Sequence, residues 1–143
     1  MRPLYETKAN LEQERSIALL FEQTYRCSLQ KLPIRYHLDF AITQDDQIKA
    51  FLEIKTTKYT MDQHRRYGGF KISLAKWYSA EQMCRVADVP FILLVDFPDK
   101  PRFLRVDDFK HDGLTWWGRT DRGDTQDMEP SVILKVDKFT EVK

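Results

Sequence analysis

The sequence predicts an α/β domain with a mixed central sheet flanked by helices. Three patterns support this class: a helix-like repeat near the start of the chain, two alternating strand-like runs after it, and a second helix-like repeat that leads into a very apolar run. The 143 residues, of which 42% are hydrophobic and 31% charged, suffice for one globular core. We therefore expect residues 1–143 to form a single domain, with an irregular β extension from about residue 98.

The first helix is predicted from Asn10 to Cys27, where apolar residues recur at spacings of three and four. Asn10 is expected to cap this helix, with Gln13 completing a capping box. Glu14 lies three residues before Ile17 and therefore falls on the stripe that faces the sheet. An acid on a buried stripe needs a partner, which could be a water at a metal site. If Glu14 instead marks the exposed edge of the stripe, a nearby basic residue would serve.

Two strands are predicted next, one around Asp39 and one around Glu53, because apolar and other side chains alternate in both runs. One face carries Leu38, Phe40, Ile42, Leu52 and Ile54, and the other carries Asp39, Ala41, Phe51, Glu53 and Lys55. Residues 43–47 between them are turn formers, which predicts an antiparallel hairpin. If its turn centres on Asp46, Asp39 lies directly across from Glu53, with the two Cβ atoms about 4.5–5.5 Å apart. This pairing requires either an odd-length turn or a bulge.

Asp39, Glu53 and Lys55 are the candidate catalytic residues of this hairpin. Two carboxylates that face each other repel unless a cation lies between them. Ligands that offer only oxygen suit a hard ion such as Mg²⁺, or Mn²⁺ in its place, which can also bind a substrate phosphate. Lys55 projects to the same side as Glu53, where its ammonium could orient or deprotonate the attacking water. The alternative is a surface hairpin whose outer face carries ordinary charged residues.

The acid-x-Lys pattern of Glu53 and Lys55 recurs elsewhere in the chain. The other matches are Glu6 to Lys8, Asp108 to Lys110 and Glu141 to Lys143. None of these three follows a strand-like run that carries an Asp, so only the match in the hairpin predicts a site.

A basic tract follows the hairpin. Its cations after Lys55 are Lys58, Arg65, Arg66, Lys71 and Lys76, and Asp62 is the one acid among them. This local excess suits contact with a phosphate backbone, although the net charge of the whole chain is only +1. We expect His64, Tyr67 and the pair Gly68-Gly69 to form a mobile loop beside the cleft. The alternative for each cation is a place on a solvated loop.

The rest of the chain carries further predicted elements. A second helix is predicted from Lys71 to Val86, and the apolar run from Phe91 to Val95 predicts a central buried strand. Two more strands are predicted, from Arg102 to Val106 and from Val132 to Val136. The pair Trp116-Trp117 could stack on unpaired bases, or one tryptophan could cover the core while the other lies on the surface.

Composition also excludes several classes of protein. No apolar run is long enough to span a membrane, and no signal peptide begins the chain. We therefore expect a cytoplasmic protein, in the host cell if the source is viral. Cys27 and Cys84 are predicted to remain thiols rather than form a disulfide. The three histidines lack the spacing of a zinc site with either cysteine.

The hairpin resembles the signature of the PD-(D/E)xK nuclease superfamily, with Asp39 as its Asp and Glu53-Ile54-Lys55 as its Glu-x-Lys tripeptide. Leu38 stands where that family often has Pro. The resemblance covers about residues 8–97 and implies a restriction-endonuclease-like αβββαβ core, with the Asp on the second strand and the tripeptide on the third. It also implies that Asp39, Glu53 and the Ile54 carbonyl hold Mg²⁺, and that DNA is cut to leave 5′-phosphate ends.

The same resemblance implies two further site residues. Many members of the superfamily add a Glu from the first helix, here Glu14, which would support the reaction through a second ion or a water. The second helix often presents a Lys or a Gln to the site. Lys76 and Gln82 are the candidates in this chain, and no local motif selects one of them.

The expected function is a Mg²⁺-dependent DNA endonuclease, with RNA as a substrate that the sequence alone does not exclude. A small single domain favours structure-selective cutting, or a partner protein that supplies specificity, over recognition of a long site. The chain could also act as a homodimer. The alternative is a catalytically inactive nucleic-acid-binding or scaffold protein that keeps the nuclease fold. The intact set of Asp39, Glu53 and Lys55 argues against that alternative, because a lysine beside two acids has little structural merit without a metal.

Overall fold

The computed structural model describes residues 8–33, 38–118 and 128–143. Its elements in chain order are α1 (Lys8–Tyr25), β1 (Ser28–Lys31), β2 (Phe40–Gln44), β3 (Gln47–Thr56), α2 (Met61–Arg66), β4 (Phe70–Ser73), α3 (Leu74–Ala87), β5 (Phe91–Asp96), β6 (Pro101–Val106), β7 (Leu114–Trp117), β8 (Glu129–Leu134) and β9 (Thr140–Glu141), with a 3-10 turn at Val136–Lys138. In this described part of the chain, no helix has the length and apolar character needed to cross a membrane.

Two sheets organise these elements. The larger has six strands in the order β1-β2-β3-β5-β6-β9, and the smaller has three in the order β4-β8-β7. β3 and β5 run parallel while the other neighbours in the large sheet are antiparallel, so this sheet is mixed. α1, the β1–β3 meander, α3 and β5 supply the αβββαβ core. The predicted fold class is confirmed.

Both faces of the large sheet are covered. α1 packs on one face, in a cluster that includes Leu52 and Ile54. α3 and the small sheet cover the opposite face, in a cluster that includes Phe51 and Trp77. Successive residues of β3 therefore point into two separate cores, and Glu53 points to the same side as Phe51. This arrangement excludes the surface-hairpin alternative, because a second layer covers the face that carries Glu53.

The β2–β3 hairpin has the predicted register near the site but a different turn. The turn is the pair Asp45-Asp46, both with positive φ, which suits a two-residue hairpin loop. The turn is therefore not centred on Asp46, and the predicted pairing arises from the other possibility, a bulge. A register shift opposite Lys49 then brings Phe40 opposite Leu52. Asp39 directly precedes Phe40, so the same register extended by one residue puts Asp39 across from Glu53.

Leu38 departs from the predicted alternation. It was expected on the face of Phe40, but it packs in the cluster of Ala41 and Phe51, on the α3 side of the sheet. The reason is that β2 begins only at Phe40, so the two-residue period does not extend back to Leu38.

The cap predicted for the first helix was wrong. Asn10 lies inside α1, which is already helical at Lys8, and the helix ends at Tyr25 rather than Cys27. Gln13 does not complete a capping box and instead hydrogen-bonds the carboxylate of Asp96. This bond joins α1 to the end of β5.

The segment predicted to be a mobile loop contains α2, and that prediction was wrong. Thr60 and Gln63 form a capping box at the start of this helix. His64 is buried, with 4% of its surface exposed, and packs against aromatic rings. The capping signal was present in the sequence, but the apolar repeat that usually marks a helix is too short here.

The second predicted helix begins later than expected. α3 begins at Leu74, with Ser73 as its cap, rather than at Lys71. The residues before it form β4, because they pair with β8 from near the end of the chain. No local pattern reveals a pairing between segments so far apart.

The residues after about 98 form β6 to β9. The predicted strands at residues 91–95 and 102–106 are confirmed as β5 and β6. β8 begins at Glu129, earlier than the predicted Val132, and β7 and β9 were not predicted. Trp116 is 67% exposed on β7, and its neighbour Trp117 is half-buried. Cys27 and Cys84 are both free thiols, as predicted.

Candidate active site

Glu53 lies in the middle of the candidate site, and 2% of its surface is exposed. Its Oε2 atom lies 3.2 Å from the Nζ of Lys55 and 3.1 Å from the Nζ of Lys76. Its Oε1 atom is buried and has no hydrogen-bond partner among the described residues. Buried carboxylate oxygens are normally satisfied, since leaving one unpaired costs about 1–3 kcal/mol or more. Glu53 therefore presents an acceptor that suits a cation.

Asp39 stands at the start of β2 and reaches across to β3. Its Oδ2 accepts the backbone N–H of Ile54 at 2.8 Å. The N–H of Phe51 points the other way, to Pro90 at the β5 edge. Because the N–H and C=O of an extended residue point to the same edge, the Ile54 carbonyl lies on the edge where Asp39 stands. The Ile54 carbonyl, one of the predicted metal ligands, therefore lies on the Asp39 side of β3, and the charge of Asp39 acts on the Glu53 carboxylate.

The charged groups of the site act on one another. Burial raises the pKa of Glu53; the ammonium of Lys55 opposes this rise and the charge of Asp39 adds to it. Burial lowers the pKa of Lys55, but the charges of Glu53, Asp39 and Glu129 outweigh burial, so this pKa is raised. No local pattern indicated Glu129, because β8 brings it here from the far end of the chain.

The structure selects Lys76 over Gln82 as the residue that α3 contributes. Lys76 follows the Ser73 cap and ion-pairs with Glu53, whereas Gln82 is exposed on the same helix. The end of α3 that begins beside β4 thus faces the site. Lys76 was also predicted to contact nucleic acid. Its side chain is 22% exposed and lies beside the buried carboxylate of Glu53 rather than on the outer surface.

Glu14 does pair with a nearby basic residue, which was one of its two predicted roles. Its Oε1 lies 2.7 Å from the Nζ of Lys31, and the Nζ of Lys31 lies 3.6 Å from Oδ1 of Asp39. Glu14 therefore lies on the Asp39 side of the site. Lys31 was not predicted, because β1 lacks an apolar pattern that would mark it as a strand.

The other cations of the basic tract have different surroundings. Lys58 and Arg66 are exposed. Arg65 is paired with Asp62 and, at 2.7 Å, with Asp137 from beyond β8. The excess of positive charge is therefore smaller than the local sequence indicated.

Lys71 is held by aromatic neighbours. Its Nζ lies 4.2 Å from the ring centroid of Trp117 and donates to the backbone carbonyl of Tyr67. Burial lowers the pKa of Lys71. Tyr67 and Trp117 pack together, with ring centroids 5.5 Å apart, so this cation belongs to a small aromatic cluster.

The donor set fits a hard divalent cation. No three His, Cys, Asp or Glu side chains within the described ranges form a ready metal cluster. Two carboxylates and one carbonyl instead form an all-oxygen set, which suits an ion that keeps several waters and accepts substrate oxygens. The unpaired Oε1 of Glu53 beside Asp39 is the feature that such an ion would satisfy.

His64 is a buried histidine of α2 that joins this helix to the end of β3. Its Nε2 lies 2.8 Å from Oγ1 of Thr57, and its ring packs against Phe70 and Phe97. Burial lowers the pKa of His64 to about 4, and the charge of Lys71 adds to this effect. His64 is therefore neutral in the folded protein at neutral pH.

We expect acid to destabilise the fold through His64. An unfolded histidine has a pKa of about 6.5, so the unfolded state binds a proton that the folded state excludes. The contribution of neutral His64 to the free energy of unfolding is complete above about pH 6.5 and is lost as the pH falls toward about 4. Between about pH 7.5 and about pH 5 this loss is about 2 kcal/mol. Urea unfolding at both pH values should show this loss of stability in the parent protein but not in His64→Gln.

His111→Gln is the matched control for this prediction, because His111 is exposed. It should keep the pH dependence of the parent. If His64→Gln loses as much stability in acid as the parent does, the acid-sensitive group lies elsewhere.

Comparison with protein families gives a match over nearly the whole chain. A family model described as "Phage putative PDDEXK endonuclease" matches residues 1–142. No curated protein matches the chain. Among solved structures, Hjc, a Holliday junction resolvase from the archaeal hyperthermophile Archaeoglobus fulgidus, aligns with a TM-score of 0.49 and 12% sequence identity. That alignment covers 64% of this chain and 74% of the resolvase, and carries no inference about the substrate of this chain.

Proposed function

The chain belongs to the phage PDDEXK endonuclease family, and on this basis we propose that it is a divalent-metal-dependent endonuclease that hydrolyses phosphodiester bonds of DNA. The observation that carries the proposal is the register that puts Asp39 across from Glu53 on neighbouring strands. Burial and the charge of Asp39 both raise the pKa of Glu53 there, and the Nζ of Lys55 lies 3.2 Å from the Glu53 carboxylate. Glu53 offers a buried oxygen that no described residue bonds. Such a set has a chemical use in an enzyme, whereas a scaffold gains little stability from it.

Asp39, Glu53 and the Ile54 carbonyl would hold the ion, which we propose to be Mg²⁺ or Mn²⁺ because all three ligands are oxygens. When bound, such an ion supplies Lewis-acid activation of water and stabilises charge on the scissile phosphate. The peptide N–H of Ile54 holds one oxygen of Asp39, and Lys55 and Lys76 hold one oxygen of Glu53, so both acids are oriented before any ligand arrives.

Lys55 and Lys76, which both contact Glu53, would have different roles in the reaction. Lys55 is 41% exposed and is positioned by its ion pair with Glu53, so it can donate to the attacking water and to phosphate oxygens. Lys76 is less exposed and would keep the Glu53 carboxylate charged and oriented. Glu14 lies farther out, behind Lys31, and its contribution would pass through that lysine.

The basic tract would contact the DNA backbone, with unequal contributions from its members. Lys58 and Arg66 are exposed and are the best placed for phosphate contacts. Arg65 and Lys71 would exchange existing protein contacts for phosphate contacts. We propose DNA as the substrate, with a second copy of the chain or a partner protein supplying specificity that one small domain lacks.

To test this proposal, the protein is incubated with circular single-stranded, duplex and branched DNA, and with RNA of matched sequence, in the presence of Mg²⁺, Mn²⁺ or EDTA. We expect cleavage of DNA to 5′-phosphate ends with either metal and no cleavage in EDTA. The ratio of branched to duplex rates measures structure selectivity, and size-exclusion chromatography measures dimerisation. Binding of DNA without any cleavage would instead identify a nucleic-acid-binding protein that keeps the nuclease fold.

A further inference from the structure

Lys31 contacts two of the acids assigned to the site. It lies on β1 opposite Phe40, and its Nζ is 2.7 Å from Oε1 of Glu14 and 3.6 Å from Oδ1 of Asp39. The same ammonium lies 4.9 Å from the ring centroid of Phe40. Three segments of the chain, α1, β1 and the start of β2, therefore meet at this one cation.

The three acids of the site are matched in number by the lysines that contact them. Glu14 and Asp39 contact Lys31, and Glu53 contacts Lys55 and Lys76. The charges of these six side chains cancel, and Glu129, whose charge acts on Lys55, adds one negative charge. A divalent cation would add two positive charges to this group, and any ammonium that shares a carboxylate with the cation would oppose its binding. One lysine is therefore expected to withdraw when the cation binds.

Lys31 is the lysine that can withdraw at the lowest cost. Its side chain is 54% exposed, compared with 41% for Lys55 and 22% for Lys76. An exposed ammonium is rehydrated when it leaves its partner, so its ion pair is weak. Withdrawal of Lys55 or Lys76 would instead take a partner from Glu53, whose carboxylate is buried.

We propose that Lys31 competes with the metal ion for Asp39. It holds Glu14 and Asp39 together in the metal-free protein and leaves Asp39 when the cation binds. The inference rests on the proposed function, because it takes Asp39 as a metal ligand. It gives Glu14 the role of anchoring Lys31, so that the ammonium stays close to the site after it leaves Asp39.

The first test measures the affinity for Mn²⁺ by calorimetry, without DNA, in the full-length protein. Lys31→Met removes the competing charge and should bind Mn²⁺ about threefold to tenfold more tightly than the parent. Lys31→Arg keeps the charge and should bind Mn²⁺ about as the parent does. Lys49→Met is the matched control, because Lys49 is an exposed lysine whose ammonium bonds Gln47 at the far end of the hairpin.

The second test follows the ammonium itself. An amine-reactive reagent, with the products quantified by peptide mass spectrometry, should label Lys31 more extensively in the presence of Mn²⁺ than in its absence. The labelling of Lys49 should not change. A lysine with a merely structural role would keep the same reactivity with and without the ion.

The outcomes separate this inference from the proposed function. Tighter Mn²⁺ binding by Lys31→Met, together with Mn²⁺-dependent labelling of Lys31, supports the competitor role. If the parent binds Mn²⁺ but Lys31→Met binds it equally or more weakly, the competitor role is overturned while the metal site stands. If neither protein binds Mn²⁺, the metal site itself is wrong and the competitor role is overturned with it.

Discussion

Replacing Asp39 by Asn is expected to lower the rate of DNA cleavage about a thousandfold, which corresponds to about 4 kcal/mol of activation free energy. The amide oxygen of Asn can still accept the N–H of Ile54, so the start of β2 should keep its place. The charge that would bind the cation is lost, however, so Mn²⁺ binding should weaken together with cleavage. Single-turnover cleavage and Mn²⁺ calorimetry measure the two effects.

Asp46→Asn is the matched control for this substitution. Asp46 lies in the turn of the same hairpin with φ at 60°, a conformation that Asn adopts readily, so this variant loses one negative charge without strain. It should cut DNA as the parent does. Cleavage by Asp39→Asn within about threefold of the parent rate would remove Asp39 from the metal site.

Replacing Lys55 by Met is expected to lower the single-turnover rate about a hundredfold to a thousandfold while Mn²⁺ binding stays at least as tight. Lys55 ion-pairs with Glu53 from a side chain that is 41% exposed, so it can reach both the buried acid and an incoming phosphate. Its loss removes a donor to the transition state and also a positive charge near the cation. Cleavage and metal binding should therefore separate in this variant, whereas they fall together in Asp39→Asn.

Lys110→Met is the control for Lys55→Met, because Lys110 ends the look-alike tripeptide Asp108-Phe109-Lys110 and is 84% exposed. It should cut at the parent rate. Equal rates for Lys55→Met and the parent would show that Lys55 has only a structural role. Thermal unfolding of each variant distinguishes lost chemistry from lost folding.

Local patterns of apolar residues were sufficient to predict most of the fold class. The apolar repeat of α1, the alternation in β2 and β3 and the apolar run of β5 were each sufficient to predict their elements, because a helix and a strand place side chains with different periods. Among the predictions that were wrong, two missed whole elements, β4 and α2. Strand β4 exists because β8 pairs with it, and α2 is too short to show a helical repeat.

The candidate site was predicted less completely than the fold. Asp39, Glu53 and Lys55 follow from the pattern of one hairpin, since residues directly opposed in register share a face. Lys31 and the selection of Lys76 do not follow from it, because they come from β1 and α3. The pairing of Arg65 with Asp137 likewise joins residues far apart in the chain.

The sequence by itself predicted that Asp39, Glu53 and Lys55 share one face of a hairpin, because residues that alternate along two paired strands point to the same side. Only the tertiary structure decided their environment. Packing of α3 and the small sheet buries Glu53, which raises its pKa and leaves one of its oxygens without a partner among the described residues. Packing of α1 and β1 places Lys31 between Glu14 and Asp39. Burial and long-range charge depend on which segments cover the site, and no local pattern contains that information.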